Sequence, residues 1–233
     1  MRAPRRGAPR ARLMPAVFVD RDGTLNHERH YLRRVADLRL VGGAARAVRR
    51  LDAAGFAVVV VTNQSGVARG LVPPRTLARI HDAIVRRLGR AGAQLTAIYV
   101  CPHHPTVGAP PFRRRCRCRK PRPGLVERAA RELGLDLARS YCVGDGAVDL
   151  GLAAATRTRG VLVRTGHGRV TETALPPDVP IAHVAANFRA AADWIIEDAR
   201  RAPPQRRRAS AERRRASATR ARASVEGRRR PRR

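Results

Sequence analysis

Short apolar runs that end on a polar or small residue recur along the chain: "AVFVD" from Ala16, "FAVVVVTN" from Phe56, "LTAIYVC" from Leu95, "SYCVGD" from Ser140 and "GVLVRTG" from Gly160. Val-rich runs of this length, with no polar alternation, read as strands buried on both faces. Between them apolar positions recur at helical spacing over residues 44–54, 73–91, 123–133, 147–155 and 187–199. Strand and helix alternate, which predicts an α/β, Rossmann-like parallel sheet with helices on both faces. Three of the runs end at Asp20, at Thr62-Asn63 and at Asp145. In open parallel sheets ligands bind outside the carboxyl ends of the strands, so these residues are expected to converge on one pocket.

Composition adds boundaries to this picture. The 233 residues suit one domain with tails, and the net charge of +31 is unevenly spread. Residues 1–12 carry five Arg, and residues 200–233 carry fifteen Arg against two Glu, so removing these +5 and +13 leaves +13 for residues 13–199. The expected division is a disordered basic extension over 1–13, a folded domain over 14–199 and a disordered Arg-rich tail over 200–233. Met14 is itself a candidate start. The tail suits nonspecific, salt-dependent contact with polyanions, yet no aromatic residue lies within it to stack on a base. No run approaches the ~20 apolar residues of a membrane helix, and the apolar stretch before Asp20 is too short for a secretion signal. A cytoplasmic, monomeric protein with reduced thiols is expected.

The chemistry gathers where the strands end. "DRDGT" sets Asp20 and Asp22 two residues apart, with Gly23 permitting a sharp exit from the strand. Such carboxylates can divide labour, one attacking phosphorus or holding Mg²⁺ and the other moving a proton to the leaving oxygen. Asp145 in "VGDGAVD" adds a further oxygen ligand for a hard cation. A lone Asp after a strand is commonly a turn former, but three at strand ends are not accounted for that way. Thr62 and the backbone of "TNQSGVARG" offer donors for phosphoryl oxygens, or, more plainly, a helix cap. The chain uses Arg 48 times and Lys once, at Lys120. A compact ammonium with three rotatable donors suits a crowded phosphoryl site better than a planar guanidinium does.

Lys120 closes a segment with three of the four cysteines, "CPHHPTVGAPPFRRRCRCRKPRPG" over residues 101–124. Cys101 and His103, then Cys116 and Cys118, with twelve residues between His103 and Cys116, supply three thiolates and an imidazole, a set typical of closed tetrahedral zinc. Disulfides are the main competitor, disfavoured by a reducing compartment and by the poor bridging geometry of CxC pairs; a redox pair more often reads CxxC. His104 is expected to support the loop, and Cys142 to be a small buried hydrophobe.

Together "DRDGT", "TN", "RKP" and "GDGAVD" resemble the four motif regions of the haloacid dehalogenase superfamily of phosphotransferases. Within it, "FVDRDGTLN", "VTNQSGVARG", "CPHHP", "CRCRKPRPG" and "VLVRTGHG" are similar to the D,D-heptose 1,7-bisphosphate 7-phosphatases over about residues 16–199. The resemblance implies a fold without a large cap domain and a Mg²⁺-dependent reaction through a phosphoaspartate. It removes the C7 phosphate of D-glycero-D-manno-heptose 1,7-bisphosphate, a step in making nucleotide-activated heptose. Carried over, Asp20 is the nucleophile and Asp22 the general acid and base. Asp20, the Asp22 backbone carbonyl and Asp145 hold Mg²⁺. Thr62 and Lys120 steady the phosphoryl group, and Arg119 recognises the sugar phosphate. Two segments, Glu28, Arg29, His30, Tyr31 and Thr62, Asn63, Gln64, Ser65, hold substrate, and structural zinc sits in the 101–118 loop.

Two positions depart from the family pattern: Gly146 stands where a Lys follows the fourth-motif Asp, and Glu28 where an Asp is usual. Histidinol-phosphate phosphatases share the zinc loop but usually read "TNQDGLG" where this chain has "TNQSGVARG". A nucleic-acid 3′-phosphatase using the basic tails is a further alternative, though no GxxxxGK[ST] kinase loop accompanies it. A non-enzymatic binding protein on this scaffold is hard to reconcile with Asp20, Asp22, Lys120 and Asp145 all in place.

Overall fold

The structure, a computed structural model, describes residues 13–176 and 179–201. Of the stretches expected to be disordered, 1–13 and 200–233, residues 1–12 and 202–233 fall outside the described residues, while Arg200 and Arg201 are helical. The chain divides into two units, Met1–Ile196 and Glu197–Arg233. All six strands lie in the first; the described residues of the second, 197–201, are helical.

The strands are β1 (Ala16–Val19), β2 (Ala57–Asn63), β3 (Ala97–Cys101), β4 (Tyr141–Gly144), β5 (Arg159–Val163) and β6 (His183–Ala185). They form one parallel sheet in the order β3-β2-β1-β4-β5-β6. The helices are α1 (Ala44–Ala53), α2 (Pro74–Arg90), α3 (Gly124–Leu133), α4 (Ala147–Thr156), α5 (Gly168–Ala174) and α6 (Phe188–Arg201). The α/β class, the parallel sheet and five of the strands agree with the sequence pattern. So do five of the helices, with ends shifted by one or two residues.

Right-handed crossovers decide which face each helix covers. From β1 to β3 the chain advances toward one edge, and from β4 to β6 toward the other, so α1 and α2 share one face and α3, α4 and α5 the opposite face. Packing agrees: Phe18, Val59, Val61 and Cys142 meet Leu125, Val126 and Ala129 of α3 and Leu152 and Ala153 of α4 in one buried cluster. The alternate residues Val17, Val19, Val58 and Val60 are equally buried, which is why β1 and β2 read as unbroken apolar runs. Each fully buried Val contributes about 1.5–3 kcal/mol relative to exposure, enough for these runs to override local helix or turn preferences. Cys142 sits in this core at 2% exposure, as a small hydrophobe should.

The sheet changes its direction of growth between β1 and β4, which are neighbours. Asp20 follows β1 and Asp145 follows β4, so the two carboxylates stand side by side where the fold leaves a crevice. No helix among the described residues is long and apolar enough to cross a membrane.

Candidate active site

At the carboxyl ends of β1, β2 and β4 lies a cavity of about 270 Å³. Its walls include Asp20, Asp22, Glu28, His30, Tyr31, Thr62, Asn63, Gln64, Ser65, Lys120 and Asp145. The convergence expected from the sequence is therefore present for these eleven residues, which come from four separate stretches of chain. Arg29 and Arg119 do not line it. The Arg119 guanidinium donates to the His103 carbonyl at 3.2 Å, which ties it to the metal loop.

Lys120 organises the centre of the site. Its side chain is 1% exposed, and Nζ donates to Asp20 Oδ1 at 2.7 Å, to Asp149 Oδ1 at 2.7 Å and to the Val61 carbonyl at 2.9 Å. All three ammonium donors are thus used, which explains why no guanidinium occupies the position. Asn63 fixes the lysine's backbone from both sides: Nδ2 donates to the Lys120 carbonyl at 3.2 Å, and Oδ1 accepts from the Lys120 N–H at 3.0 Å. Burial disfavours the ammonium, but Asp149 and Asp20 outweigh it and hold the lysine protonated, with its pKa above the ordinary value.

Carboxylate oxygens of Asp20, Asp145 and Asp149 lie within 4.8 Å of one another. Asp149, the last residue of "GDGAVD", joins the site although the sequence alone gives it no role. It also caps α4, accepting from the Gly146 N–H at 3.1 Å. Gly144 leaves room for it, since a Cβ there would stand 2.1 Å from the Asp149 carboxyl carbon. One lysine does not balance three carboxylates. Burial, only partly offset by Lys120, pushes Asp20 up to about 7. Burial likewise pushes Asp145 up to about 6, against the hydrogen bond from the His167 N–H. A hard cation would relieve both, and the all-oxygen donor set fits Mg²⁺.

Asp145 is also held from the β5 side, by contacts that no sequence motif announces. The His167 N–H donates to Asp145 Oδ2 at 2.7 Å, and the Thr171 hydroxyl to the Asp145 carbonyl at 2.8 Å. Gly23 and Gly166, both at positive φ (78° and 57°), close over the same carboxylate. A Cβ on Gly23 would lie 2.1 Å from Asp145 Oδ2, and one on Gly166 would lie 2.0 Å from it. Gly23 therefore serves more than the strand exit expected of it.

The Asp22 carboxylate turns away from this cluster. Its Oδ1 accepts from Arg21 Nε (3.1 Å) and Asn26 Nδ2 (2.9 Å), and its Oδ2 from Arg21 Nη2 (2.6 Å) and Gln64 Nε2 (2.8 Å). Burial raises its pKa, but these four donors together outweigh that and leave it below the usual carboxylate range. Gln64 Nε2 also donates to the buried Thr62 hydroxyl at 2.8 Å.

In the loop after β3, Cys101 Sγ lies 3.7 Å from His103 Nδ1 and 3.6 Å from Cys116 Sγ. Cys118 Sγ lies 3.2 Å from His103 Nδ1 and 3.3 Å from Cys116 Sγ. With Zn–S near 2.3 Å and Zn–N near 2.0 Å, tetrahedral edges are about 3.5–3.8 Å, close to what these four atoms present. The thiols are free, at separations far beyond the ~2.05 Å of a disulfide. His104 faces elsewhere, as expected of a supporting residue: Nδ1 accepts from the Val107 N–H at 2.9 Å, and Nε2 is 3.2 Å from Arg69 Nη2.

Comparison with known proteins agrees with this geometry. A HAD-hydrolase-like family model matches residues 117–191. The D-glycero-β-D-manno-heptose-1,7-bisphosphate 7-phosphatase of Yersinia pestis is 38% identical over 192 residues, covering 82% of this chain and 94% of that protein. The Escherichia coli K12 protein of the same name is 38% identical over 194 residues, covering 83% and 94%. The chain belongs to the heptose-1,7-bisphosphate 7-phosphatase family. A solved D,D-heptose 1,7-bisphosphate phosphatase from B. bronchiseptica, complexed with magnesium and phosphate, superposes with a TM-score of 0.70 at 36% identity, covering 79% of this chain and 99% of that one.

Membership of this phosphatase family gives the two departures a place in the structure. Gly146 lines the cavity as backbone alone, next to Val148, so no cation projects from this position. Glu28 lines the same cavity and turns its Oε1 onto the Arg29 N–H at 2.7 Å.

Proposed function

We propose that the chain is a Mg²⁺-dependent phosphatase that removes the C7 phosphate from D-glycero-β-D-manno-heptose 1,7-bisphosphate, in the making of nucleotide-activated heptose. The observation that carries the reading is Lys120, buried and bonded to Asp20 and Asp149, beside a third carboxylate, Asp145. Family relatives of that name, matched over most of their length, supply the substrate.

Asp20 attacks the phosphorus to form a phosphoaspartate; Lys120 fixes its Oδ1, leaving Oδ2 to meet the phosphoryl group. Asp22, ionised in the free enzyme, takes up a proton as the phosphate docks, gives it to the departing C7 oxygen and then takes one from the water that hydrolyses the intermediate. Thr62 steadies the phosphoryl oxygens through its hydroxyl, and Lys120 through its charge, since its three donors are already engaged. Asp20, Asp145 and the Asp22 backbone carbonyl would hold Mg²⁺, and the buried Asp149 carboxylate belongs to the same acidic cluster. When bound, Mg²⁺ supplies positive charge against the phosphoryl oxygens. Glu28, His30, Tyr31, Asn63, Gln64 and Ser65, which line the cavity, hold the sugar; Arg29 and Arg119, outside that lining, reach the substrate only by turning their side chains toward it. Zinc, held by Cys101, His103, Cys116 and Cys118, is structural. Residues 14–199 form the working domain of a cytoplasmic monomer.

Turnover of heptose 1,7-bisphosphate, histidinol phosphate, fructose 1,6-bisphosphate and a 3′-phosphorylated oligonucleotide with Mg²⁺ tests the reading. The heptose bisphosphate should have the highest kcat/KM. Preference for histidinol phosphate, or turnover of the oligonucleotide alone, would overturn the assignment.

A further inference from the structure

Arg21 is the largest fully buried side chain among the described residues, 1% exposed, although it lies between two residues of the reaction centre. A guanidinium has five N–H donors and cannot shed its charge, so burying it requires matched acceptors. The Asp22 carboxylate meets it in a fork, Nε on Oδ1 at 3.1 Å and Nη2 on Oδ2 at 2.6 Å. The remaining arm, Nη1, reaches across to α2, where His81 Nε2 lies 3.2 Å away. Against a cation that nitrogen acts as the acceptor, which places the ring proton on Nδ1. Burial and then the Arg21 charge depress the His81 pKa to about 4, so the imidazole is neutral at ordinary pH.

From this chain of contacts we infer that His81, through Arg21, is a positioning residue for Asp22. His81 touches neither the cavity nor the carboxylate cluster. It holds the third arm of the guanidinium, whose other two arms set the direction of the Asp22 oxygens. Removing that anchor lets the fork turn within its pocket and the proton donor turn with it. The inference rests on the reading of Asp22 as the group that protonates the leaving oxygen.

The test separates proton donation from general damage by changing the leaving group. A C7 alkoxide needs a proton as the P–O bond breaks; p-nitrophenolate, a far weaker base, does not. In kcat/KM, which reports the steps through phosphoaspartate formation, His81→Leu should lower turnover of the heptose bisphosphate by about 10–100-fold, the cost of a misplaced catalytic group. Turnover of p-nitrophenyl phosphate should change less than about threefold, because donor placement matters little there. His81→Gln, which returns an acceptor at the same reach, should recover most of the loss. Equal losses on both substrates, or none on either, would overturn the inference.

A crystal structure of His81→Leu reads the same claim without any substrate. The Asp22 carboxylate should leave its present orientation or adopt more than one, and an unmoved single conformer counts against the role of His81. If the unaltered enzyme ignores the heptose bisphosphate but hydrolyses another alkyl phosphate, the proposed substrate fails, and the same leaving-group comparison is made with that phosphate.

Discussion

The protein carries two ligand clusters built in opposite ways. The sulfur cluster comes from the end of β3 and one following loop, residues 101–118, and its four donors face one another in a closed set. The oxygen cluster is gathered from separate strand ends, stays open to a cavity, and already contains a resident cation, Lys120. The closed set suits a metal that never changes partners; the open set leaves room for a substrate and for charge that develops during reaction. Only Arg119 separates Cys118 from Lys120, so the closed cluster fixes the stem from which the open cluster receives its cation. Four donors that could hold a metal and the lysine that brings charge to the site are placed by one stretch of chain.

Breaking the oxygen cluster should have the largest effect. Asp20→Asn keeps the shape and an acceptor for Lys120 but removes the nucleophile, so kcat should fall about 10⁴-fold or more with the circular dichroism spectrum unchanged. Retained turnover would show that another group attacks.

Next in size is the link between the clusters. Lys120→Ala should lower kcat by about 10²–10³-fold. Stripping zinc with a chelator should lower it by about 10²-fold, through displacement of the same ammonium, while far-UV circular dichroism retains the sheet. A cooperative loss of the whole fold on chelation would mean that the sulfur cluster supports far more than the lysine's stem.

The smallest effect is on stability, and its sign follows from the raised carboxyls. Asp20 at about 7 and Asp145 at about 6 are both largely protonated at pH 5 and largely ionised at pH 8. Mg²⁺ binds the ionised form, so saturating Mg²⁺ should raise Tm by roughly 5–10 °C at pH 8 and much less at pH 5. The zinc cluster should show no such Mg²⁺ response, and equal shifts at both pH values would contradict the carboxylate assignment.

How much was legible in the sequence follows the same division. The Cys/His cluster could be read from spacing, because its four donors are local. β1, β2, β4 and β5 could be read because burial on both faces removes polar alternation, and the half-buried edge strand β3 because its sequence is also an unbroken apolar run. β6, three residues reading "HVA" at the sheet edge, and α5, "GRVTETA", carry no period long enough to detect; packing and crossover geometry make them. In the site, Asp20, Asp145, Thr62 and Lys120 announced themselves by position or rarity. Asp149 lay inside a quoted motif, yet its role depends on a contact with a lysine 29 residues away. Arg21 and His81 are 60 residues apart and look like ordinary basic residues in a chain rich in Arg. The Arg119 side chain adjoins Lys120 in sequence and still points to a different structure, because the loop turns between them.

The two glycines that meet over Asp145 have a consequence for anyone reading a substitution map of this protein. Gly23 and Gly166 hold no metal, donate no proton and offer no side chain to the sugar. A saturation scan should nonetheless find both intolerant of every replacement, since even a methyl group would stand about 2 Å from the Asp145 oxygen. On such a map the site would be outlined by positions where matter is forbidden as well as by positions where a functional group is required. A search for chemistry alone would pass over half of that outline.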